Sequence, residues 1–294
     1  MLRTVDLVMN SSSFSKFLSW WRLTRPWNVL AMGIMVTVVL RWRGFPLSDM
    51  LHLGRAGWVL VPMLVGAAGN LINDYFDVRE DRINKPERAL VGRSVKRRVV
   101  VVTHWGFTAA ALIWSAWLSS EIDSLWPLFL VVVFSVVLYL YSPVLKGRGA
   151  WGNIAISICV AGLVAWGGLA NLWDASVRSS TSTVWMLASL LGYLNFLREW
   201  VKDIQDLEGD VTAHHQTLAH RLTAHQNRFG LFGGCFLGFG LTFAWMSFLE
   251  QPAWMLLTNG VVGATCVARA WGENARSLSA CLKVWMACLF LALW

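Results

Sequence analysis

The sequence predicts an all-α, polytopic membrane protein with nine transmembrane helices in a single domain over residues 1–294. Three observations support this prediction. Hydrophobic residues make up 56% of the chain and charged residues only 14%, which is too apolar for an ordinary soluble domain. The apolar residues fall into separate long runs. The basic residues collect between alternate runs, on one predicted side of a membrane.

Nine apolar runs approach the length needed to cross a bilayer, about 20 mostly apolar residues in a helix. The first run is the shortest. The runs are Trp27–Leu40, Trp58–Phe76, Val99–Leu118, Trp126–Tyr141, Trp151–Leu172, Val184–Val201, Phe229–Leu249, Trp254–Trp271 and Leu278–Trp294. A polar N-terminal arm, residues 1–19, precedes them and lacks the features of a cleavable signal. We therefore expect an integral, multi-pass membrane protein.

The distribution of Lys and Arg predicts the orientation, because cytoplasmic loops carry an excess of basic residues. The nine runs place 21 of the 25 basic residues on one side and leave the following on the other: Arg41, Arg43, Arg55 and Arg178. This asymmetry predicts a cytoplasmic N-terminus. The net charge of +8 then faces anionic lipid headgroups and anionic substrates, and it does not indicate a nucleic-acid partner.

Several residues within the apolar runs are interpreted as helix-packing residues. Gly234 and Gly238 form a small-x-x-x-small step in the seventh run, which lets another helix approach closely. The cysteines lie in apolar runs without metal-ligand spacing: Cys159, Cys235, Cys266, Cys281 and Cys288. Neither set indicates a cofactor.

Acidic residues are concentrated in two short windows with the same spacing. Ten of the 17 acids lie there: Asp74, Asp77, Glu80, Asp81 and Glu87 in the first, and Glu199, Asp203, Asp206, Glu208 and Asp210 in the second. Each window lies at the predicted cytoplasmic end of an apolar run, where charges are costly and normally functional. Aspartates occur at offsets 0, 3 and 7 in both windows, which places them on one face of a continuous helix. Such closely stacked carboxylates need a cation or a proton among them.

Three other interpretations fit part of this pattern. A solvated acidic helix end explains one cluster, but it explains poorly two clusters of equal spacing in a chain with few acids. A proton or cation transporter also uses membrane carboxylates, but near the bilayer midplane, whereas these lie near one face. A phosphotransferase that acts on nucleotide-activated lipid alcohols also uses membrane aspartates, but we do not find its accompanying Asp-Gly and Ala-Arg elements.

Oxygen ligands on a water-accessible helix end suit Mg²⁺, which keeps several waters and bridges to substrate phosphate oxygens. The pattern therefore predicts a site for Mg²⁺ and a diphosphate. Basic side chains that would contact the diphosphate flank both motifs: Arg82, Lys85, Arg88 and Arg93 after the first, Arg198 and Lys202 before the second, and Lys146 on another predicted cytoplasmic loop.

The two motifs resemble the signatures of the UbiA superfamily of intramembrane prenyltransferases. The first is matched by Asn73-Asp74-x-x-Asp77-x-x-x-Asp81 followed by Ile83-Asn84-Lys85-Pro86-x-Arg88, and the second by Asp203-x-x-Asp206-x-x-x-Asp210 with Arg198-Glu199 before it and Thr217-Leu218 after it. Shorter matches are Arg22-Leu23-Thr24-Arg25-Pro26, Tyr141-Ser142-x-x-Leu145-Lys146 and Gly152-Asn153. The resemblance runs from Arg22 through the loop after the sixth run, while the last three runs match only in number and hydrophobicity.

The resemblance implies a bundle of nine helices around a central cavity that opens sideways to lipid, with the two motifs facing each other across it. It implies that the six aspartates are catalytic and that they bind Mg²⁺ together with Asn73. The implied substrate-binding set comprises Asn73, Arg22, Arg88, Lys85, Tyr141, Ser142, Lys146, Arg198 and Lys202. Within it, Lys146 and Arg88 would touch the diphosphate, and Tyr141 and Ser142 would border the allylic bond that breaks. Lys202 stands before Asp203 where the first motif has an asparagine, so the two halves are not chemically equal.

The implied reaction transfers a prenyl group from a polyprenyl diphosphate, for example geranylgeranyl diphosphate, to a lipophilic acceptor. Apolar walls would keep the allylic cation from water, and aromatic faces would stabilise it. The aromatic candidates are Tyr75, Phe76, Tyr139 and Tyr141. Segments 81–93 and 198–203 look most like the branch whose acceptor is a glycerol-phosphate ether lipid. An aromatic acceptor, as in quinone or chlorophyll-type pathways, is the alternative.

Four histidines lie in the loop after the sixth run, close to the second motif: His214, His215, His220 and His225. They lack the cysteines and the paired helical spacing of a zinc site. We expect them to form a solvated cap over the cavity.

Overall fold

The computed structural model describes residues 15–46, 48, 52, 55–87, 89–170, 181–272, 274–291 and 293. Within these ranges the chain is all-α apart from one pair of very short strands, which confirms the predicted fold class. Arg88 and the first 14 residues of the predicted N-terminal arm lie outside the described ranges.

The helices follow one another along the described residues. They are α1 (Ser15–Leu23), α2 (Pro26–Trp42), α3 (Gly57–Phe76), α4 (Val78–Asn84), α5 (Arg97–Glu121), α6 (Trp126–Leu140), α7 (Trp151–Leu169), α8 (Thr181–Gln205), α9 (Leu207–Thr212), α10 (Leu218–Arg221), α11 (Ala224–Phe248), α12 (Ala253–Trp271) and α13 (Ala275–Leu291). A π-helical turn, Tyr141–Leu145, extends α6. Strands β1 (Arg148–Gly149) and β2 (Gln216–Thr217) pair in parallel.

Among the described residues, five helices are long and apolar enough to cross a membrane: α3, α5, α6 with its π-turn, α7 and α11. Helices α1 and α2 are bent by 46° relative to each other and together would make a sixth span. The protein is therefore an integral membrane protein with several helical spans. The predicted runs in α8, α12 and α13 are also helical where they are described, and the number of nine spans stays a prediction.

The bend between α1 and α2 has a local cause in the dipeptide Arg25-Pro26. A residue that precedes proline avoids the right-handed helical region, and Arg25 adopts a left-handed conformation with φ 53° and ψ 61°. Pro26 then begins α2, where its missing N–H costs nothing because the first turn has no intrahelical acceptor for it. The chain therefore changes direction at Arg25.

The hydrophobic core has two main parts. One part packs α8 against α11, α12 and α13, with Trp245 and Trp285 fully buried. The other packs α2, α3, α5, α6 and α7 around Trp58, Trp126 and Trp166, whose ring centroids are 5.4–5.6 Å apart. Tryptophan thus fills the interior of both halves.

The small-residue step of α11 lies inside the bundle, as predicted. A methyl group on Gly234 would be 2.6 Å from Leu197 Cδ2 of α8. One on Gly238 would be 3.2–3.5 Å from atoms of Tyr193, Leu194 and Trp285. The two glycines therefore let α11 pack closely against α8.

Contacts at one end of the bundle join the segments that carry the two aspartate motifs. Helix α4, which follows α3, lies against α9, which follows α8. Strand β1, which follows the π-turn, pairs with β2, which follows α9, so that Arg148 is opposite Gln216 and Gly149 is opposite Thr217. These contacts bring together chain segments that are far apart in the sequence.

Candidate active site

Each aspartate motif is interrupted at its middle aspartate. Helix α3 gives way to α4 at Asp77 (φ −81°, ψ 12°), and α8 gives way to α9 at Asp206 (φ −100°, ψ 7°). The expectation of one continuous helix with a straight stripe of carboxylates is therefore wrong. Backbone hydrogen bonds still cross each break, from Asp81 N to Asp77 O (2.9 Å) and from Asp210 N to Asp206 O (3.0 Å). Each motif is thus a kinked helix end.

One ammonium group joins the two motifs. Lys146 Nζ lies 3.0 Å from Asp77 Oδ2 and 3.5 Å from Asp210 Oδ1, and it also pairs with Glu80. Burial alone would lower the pKa of Lys146, but the negative charges of Asp77, Glu80 and Asp210 raise it well above its usual value. The lysine therefore stays charged, and the carboxylates of both motifs converge on it.

A second set of contacts joins α4 directly to α9. Lys85 Nζ lies 2.6 Å from Asp206 Oδ2, and Asn84 Nδ2 donates to the Asp206 backbone carbonyl at 2.9 Å. The Gly209 N–H in turn donates to Asn84 Oδ1 at 2.9 Å. A methyl group on Gly209 would lie 2.3 Å from Asn84 Nδ2, so glycine is required for this approach.

The π-turn after α6 places Ser142 against the first motif. Ser142 Oγ donates to Asn73 Oδ1 at 2.8 Å, and Asn73 Nδ2 donates to Asp77 Oδ2 at 3.1 Å. π-Helical turns are rare and often occur at functional sites. Tyr141, which begins the turn, is partly buried, and its carbonyl accepts from Lys146 N at 2.8 Å.

Arg25, and not Arg22, contacts the first motif. The Arg25 guanidinium donates to Asp74, which is 8% exposed, whereas Arg22 is exposed on α1. The left-handed backbone of Arg25 costs on the order of 1–2 kcal/mol, and its ion pair with a largely buried carboxylate offsets part of this cost. The predicted role of Arg88 lies outside the described residues and stays a prediction.

The first aspartate of the second motif is held by a side chain of another helix. Asp203 Oδ2 accepts a hydrogen bond from Asn153 Nδ2 of α7 at 2.9 Å. Glu199 lies one turn before Asp203 on α8, and it pairs with both Arg198 and Lys202 at 2.6 Å. Glu199 is 4% exposed, and both of its oxygens are used by these two cations.

Burial and mutual repulsion raise the pKa of carboxyl groups near the kinked helix ends. Burial, followed by the charge of Asp77, raises the pKa of Glu80 to about 7. Burial, followed by the charges of Asp74 and Asp77, raises the pKa of Asp81 to about 6. Burial also raises the pKa of Asp210, whose buried Oδ1 makes only a long 3.5 Å contact with Lys146 Nζ among the described residues. A divalent cation would relieve this repulsion.

One histidine of the predicted solvated cap lies in the site. His215 Nδ1 is 3.4 Å from Glu80 Oε1, and the ligand atoms of Glu80, Asp210 and His215 all lie within 4.8 Å of one another. Burial lowers the pKa of His215, which keeps the ring neutral near pH 7. The other three histidines of this loop are exposed, as expected of a solvated cap.

Sequence reasoning left several side chains of this site out of the predicted set: Arg25, Glu80, Asn84, Asn153, Glu199 and His215. Glu80 carried a usable signal, because three residues after Asp77 it lies one turn further along α4. Glu199 carried one too, because its partners Arg198 and Lys202 are neighbours on α8. The other four needed the three-dimensional arrangement, since their partners are on other segments of the chain.

The aromatic candidates lie beside the first motif. Phe76 packs edge-on against Tyr75 and Tyr139, with ring centroids 5.3 and 5.8 Å away. The guanidinium of Arg97 lies 4.8 Å from the centre of the Tyr75 ring. One face of Tyr75 is therefore already used by a protein cation, whereas no such cation covers Phe76 or Tyr139 among the described residues.

The fold and the site define a class: a helical membrane protein that gathers carboxylates and basic side chains from two repeated motifs at one end of its bundle. The chain belongs to the UbiA prenyltransferase family, whose sequence profile matches residues 30–294. The match thus includes α11, α12 and α13, where sequence reasoning found agreement only in number and hydrophobicity. Membership favours an enzyme over a transporter.

Relatives within the family carry a more specific description. The chain is 33% identical over 161 residues to a digeranylgeranylglyceryl phosphate synthase of Metallosphaera sedula, a match that covers 55% of this chain and 54% of the relative. It is 32% identical over 201 residues to the protein of the same description from Korarchaeum cryptofilum, covering 68% and 66%. The matched segments thus span about half to two thirds of these relatives.

Solved structures share the fold over nearly the whole chain. A structure described as a digeranylgeranylglyceryl phosphate synthase in membranes superposes with a TM-score of 0.69 at 23% identity, covering 95% of this chain and 97% of that one. A UbiA homolog from Archaeoglobus fulgidus bound to GPP and Mg²⁺ superposes with a TM-score of 0.57 at 15% identity, covering 94% and 99%.

Proposed function

We propose that this protein is a Mg²⁺-dependent intramembrane prenyltransferase that moves a polyprenyl group from its diphosphate to a lipophilic acceptor. The proposed donor is geranylgeranyl diphosphate, and the proposed acceptor is a geranylgeranylglyceryl-phosphate-like ether lipid. The observation that carries the proposal is the convergence of Asp77, Glu80 and Asp210, from both motifs, on Lys146. The description of the relatives supports the acceptor.

The residues present fit a divalent cation. Buried carboxylate oxygens from two helix ends converge, and the buried Asp210 Oδ1 makes only a long 3.5 Å contact with Lys146 among the described residues. We propose that Asn73 and the six motif aspartates hold Mg²⁺, with Glu80 added to the set. Mg²⁺ would stabilise the negative charge that develops on the departing diphosphate.

The basic side chains of the site would bind the diphosphate. Lys146 and Lys85 now pair with motif carboxylates, and cations on those carboxylates would free both ammonium groups for phosphate oxygens. Such contacts strengthen as the allylic carbon–oxygen bond breaks, because negative charge accumulates on the leaving group. Ser142 and Tyr141 border this region from the π-turn.

The prenyl cation then needs a dry environment and an acceptor. Apolar helix faces would exclude water, and the partly buried rings of Phe76 and Tyr139 would stabilise the cation. The acceptor hydroxyl oxygen would attack the allylic carbon, form the ether bond and lose its proton.

We further propose the complete topology. The chain forms one domain with nine spans around a central cavity, and the N-terminus and the active site face the cytoplasm. The support is the distribution of basic residues, 21 of 25 on one side, together with the position of both motifs at one end of the bundle.

The test is a paired assay on the purified protein in lipid nanodiscs. Radiolabelled geranylgeranyl diphosphate is offered with either a geranylgeranylglyceryl phosphate or a prenyl-accepting aromatic acid, and labelled product and released diphosphate are measured. We expect Mg²⁺-dependent transfer to the glyceryl acceptor. Transfer only to the aromatic acid would show that the acceptor is aromatic and not a glyceryl lipid. Cation flux in proteoliposomes without diphosphate release would show that the protein is a transporter and not an enzyme.

A further inference from the structure

We propose that Arg198 and Lys202 of α8 bind the phosphate group of the acceptor and that Glu199 positions them. The inference rests on the proposed function and deepens it, because it gives the enzyme a means to select a phosphomonoester lipid over the same lipid without phosphate.

Three other basic groups that the structure describes at the site already pair with the motifs. Lys146, Lys85 and Arg25 each pair with an aspartate of the two motifs. Arg198 and Lys202 pair only with Glu199, which is not one of these aspartates. Within the described residues they form a separate cationic pair, which remains when Mg²⁺ and diphosphate occupy the motifs.

Arg198 and Lys202 are four residues apart and therefore lie on one face of the helix, one turn above the other. Glu199 is 4% exposed and holds both of them at 2.6 Å, through Arg198 Nη1 and Lys202 Nζ. This buried carboxylate restricts the orientation of both cations. The two side chains therefore lose less conformational entropy when they bind an anion.

Arg198 Nε is buried and has no hydrogen-bond acceptor among the described residues. The Arg198 side chain is 18% exposed and that of Lys202 is 34% exposed, so a ligand can still reach the pair. A buried N–H without an acceptor is costly, and a phosphate oxygen would satisfy it.

The chemistry of the pair matches a phosphomonoester. The two cations and Glu199 carry a net charge of +1. A guanidinium can donate two parallel hydrogen bonds to phosphate oxygens, and an ammonium adds a compact positive charge. Asp203 follows Lys202 directly, so a phosphate held here would place the glyceryl part of the acceptor beside the second motif. The donor diphosphate has its own ligands at the motifs.

The experiment compares Arg198→Gln and Lys202→Gln with wild type in nanodiscs, using geranylgeranylglyceryl phosphate and its dephosphorylated form as acceptors. Loss of a charged hydrogen bond should raise the KM for the phosphorylated acceptor on the order of 10- to 100-fold. The KM for the dephosphorylated acceptor and for geranylgeranyl diphosphate should change little. The matched control is Arg276→Gln, which removes an exposed positive charge at the start of α13.

Glu199→Gln tests the positioning role. It keeps both cations but weakens their orientation, so it should raise the KM for the phosphorylated acceptor by a smaller factor and leave kcat nearly unchanged. If Arg198→Gln does not accumulate, the more exposed Lys202→Gln gives the same comparison.

Two results would overturn the inference while the proposed function stands. One is an unchanged preference of both variants for the phosphorylated acceptor, and the other is an equal rise in KM for donor and acceptor, which would assign the pair to the diphosphate. Failure of the proposed function looks different, because wild-type protein would then transfer no prenyl group to either glyceryl acceptor.

Discussion

At the scale of single residues, the site depends on buried charges that compensate one another. Lys146 neutralises carboxylates that would otherwise repel across the two motifs. Removing one partner of a buried ion pair leaves the other charge uncompensated and costs several kcal/mol in general. Substitutions that keep side-chain volume but remove charge are therefore the cleanest test of each residue.

Asp77→Asn should lower kcat by a factor on the order of 100 or more, because it removes a carboxylate that would bind the metal and leaves the fold with a similar side chain. Asp206→Asn should do the same for the second motif. Diphosphate release from geranylgeranyl diphosphate is the measurement. The control is Asp123→Asn, an exposed aspartate between α5 and α6 whose left-handed φ of 50° asparagine tolerates. Wild-type turnover in Asp77→Asn would contradict the proposed site.

The apparent affinity for Mg²⁺ should fall as the pH is lowered. The pKa of Glu80 is about 7 and that of Asp81 about 6 in the metal-free protein, so both are ionised at higher pH and take up protons as the pH falls through these values. Protons then compete with the metal, so the apparent affinity for Mg²⁺ falls by up to about tenfold per pH unit for each group below its pKa. Mg²⁺ titrations of tryptophan fluorescence between about pH 8 and pH 5.5 measure this. Glu80→Gln should flatten the upper part of the profile, and a pH-independent affinity would contradict the assignment.

At the scale of helices, a backbone kink at the middle aspartate of each motif brings the two motifs together. The kinks at Asp77 and Asp206 turn α4 and α9 toward each other, and Asn84 and Gly209 close the contact. The equal spacing of the motifs predicted two helix ends of similar design. The kinks themselves were not predictable, since each continues the i to i−4 backbone hydrogen bonds and has no proline or glycine at the break.

Gly209→Ala should separate α4 from α9, because its methyl group would lie 2.3 Å from Asn84 Nδ2. We expect a loss of activity of roughly tenfold and a lower Tm. In an Asn84→Ala background the same change should cost much less, since the colliding side chain is gone. The control is Gly233→Ala in α11, where an added methyl group meets no atom within 4 Å. Equal effects in both backgrounds would contradict the proposed contact.

At the scale of the whole molecule, hydrophobicity and the two acidic windows predicted most of the architecture. The all-α class and the helical runs followed from long apolar segments, and the active-site end followed from the only dense groups of acids. The long-range partners could not be predicted. Arg25 with Asp74 and Asn153 with Asp203 join residues 49 and 50 positions apart, and only helix packing determines which of several basic and amide side chains comes within reach.

Removal of the metal should stop the reaction without unfolding the protein. EDTA should abolish prenyl transfer, and added Mg²⁺ should restore it fully, because Lys146 and Lys85 also hold the motif carboxylates together. Activity and thermal unfolding are measured on the same sample. Irreversible aggregation on chelation, or transfer in the presence of excess EDTA, would contradict this account.

The short parallel pairing of β1 with β2 has a mechanical consequence. Residues 148–149 and 216–217 lie 68 positions apart in the sequence, yet their backbones are bonded to each other beside Lys146 and His215. Neither loop can swing outward alone while these bonds last. Any outward movement of one loop must therefore carry the other loop with it, so that the two segments move as one unit.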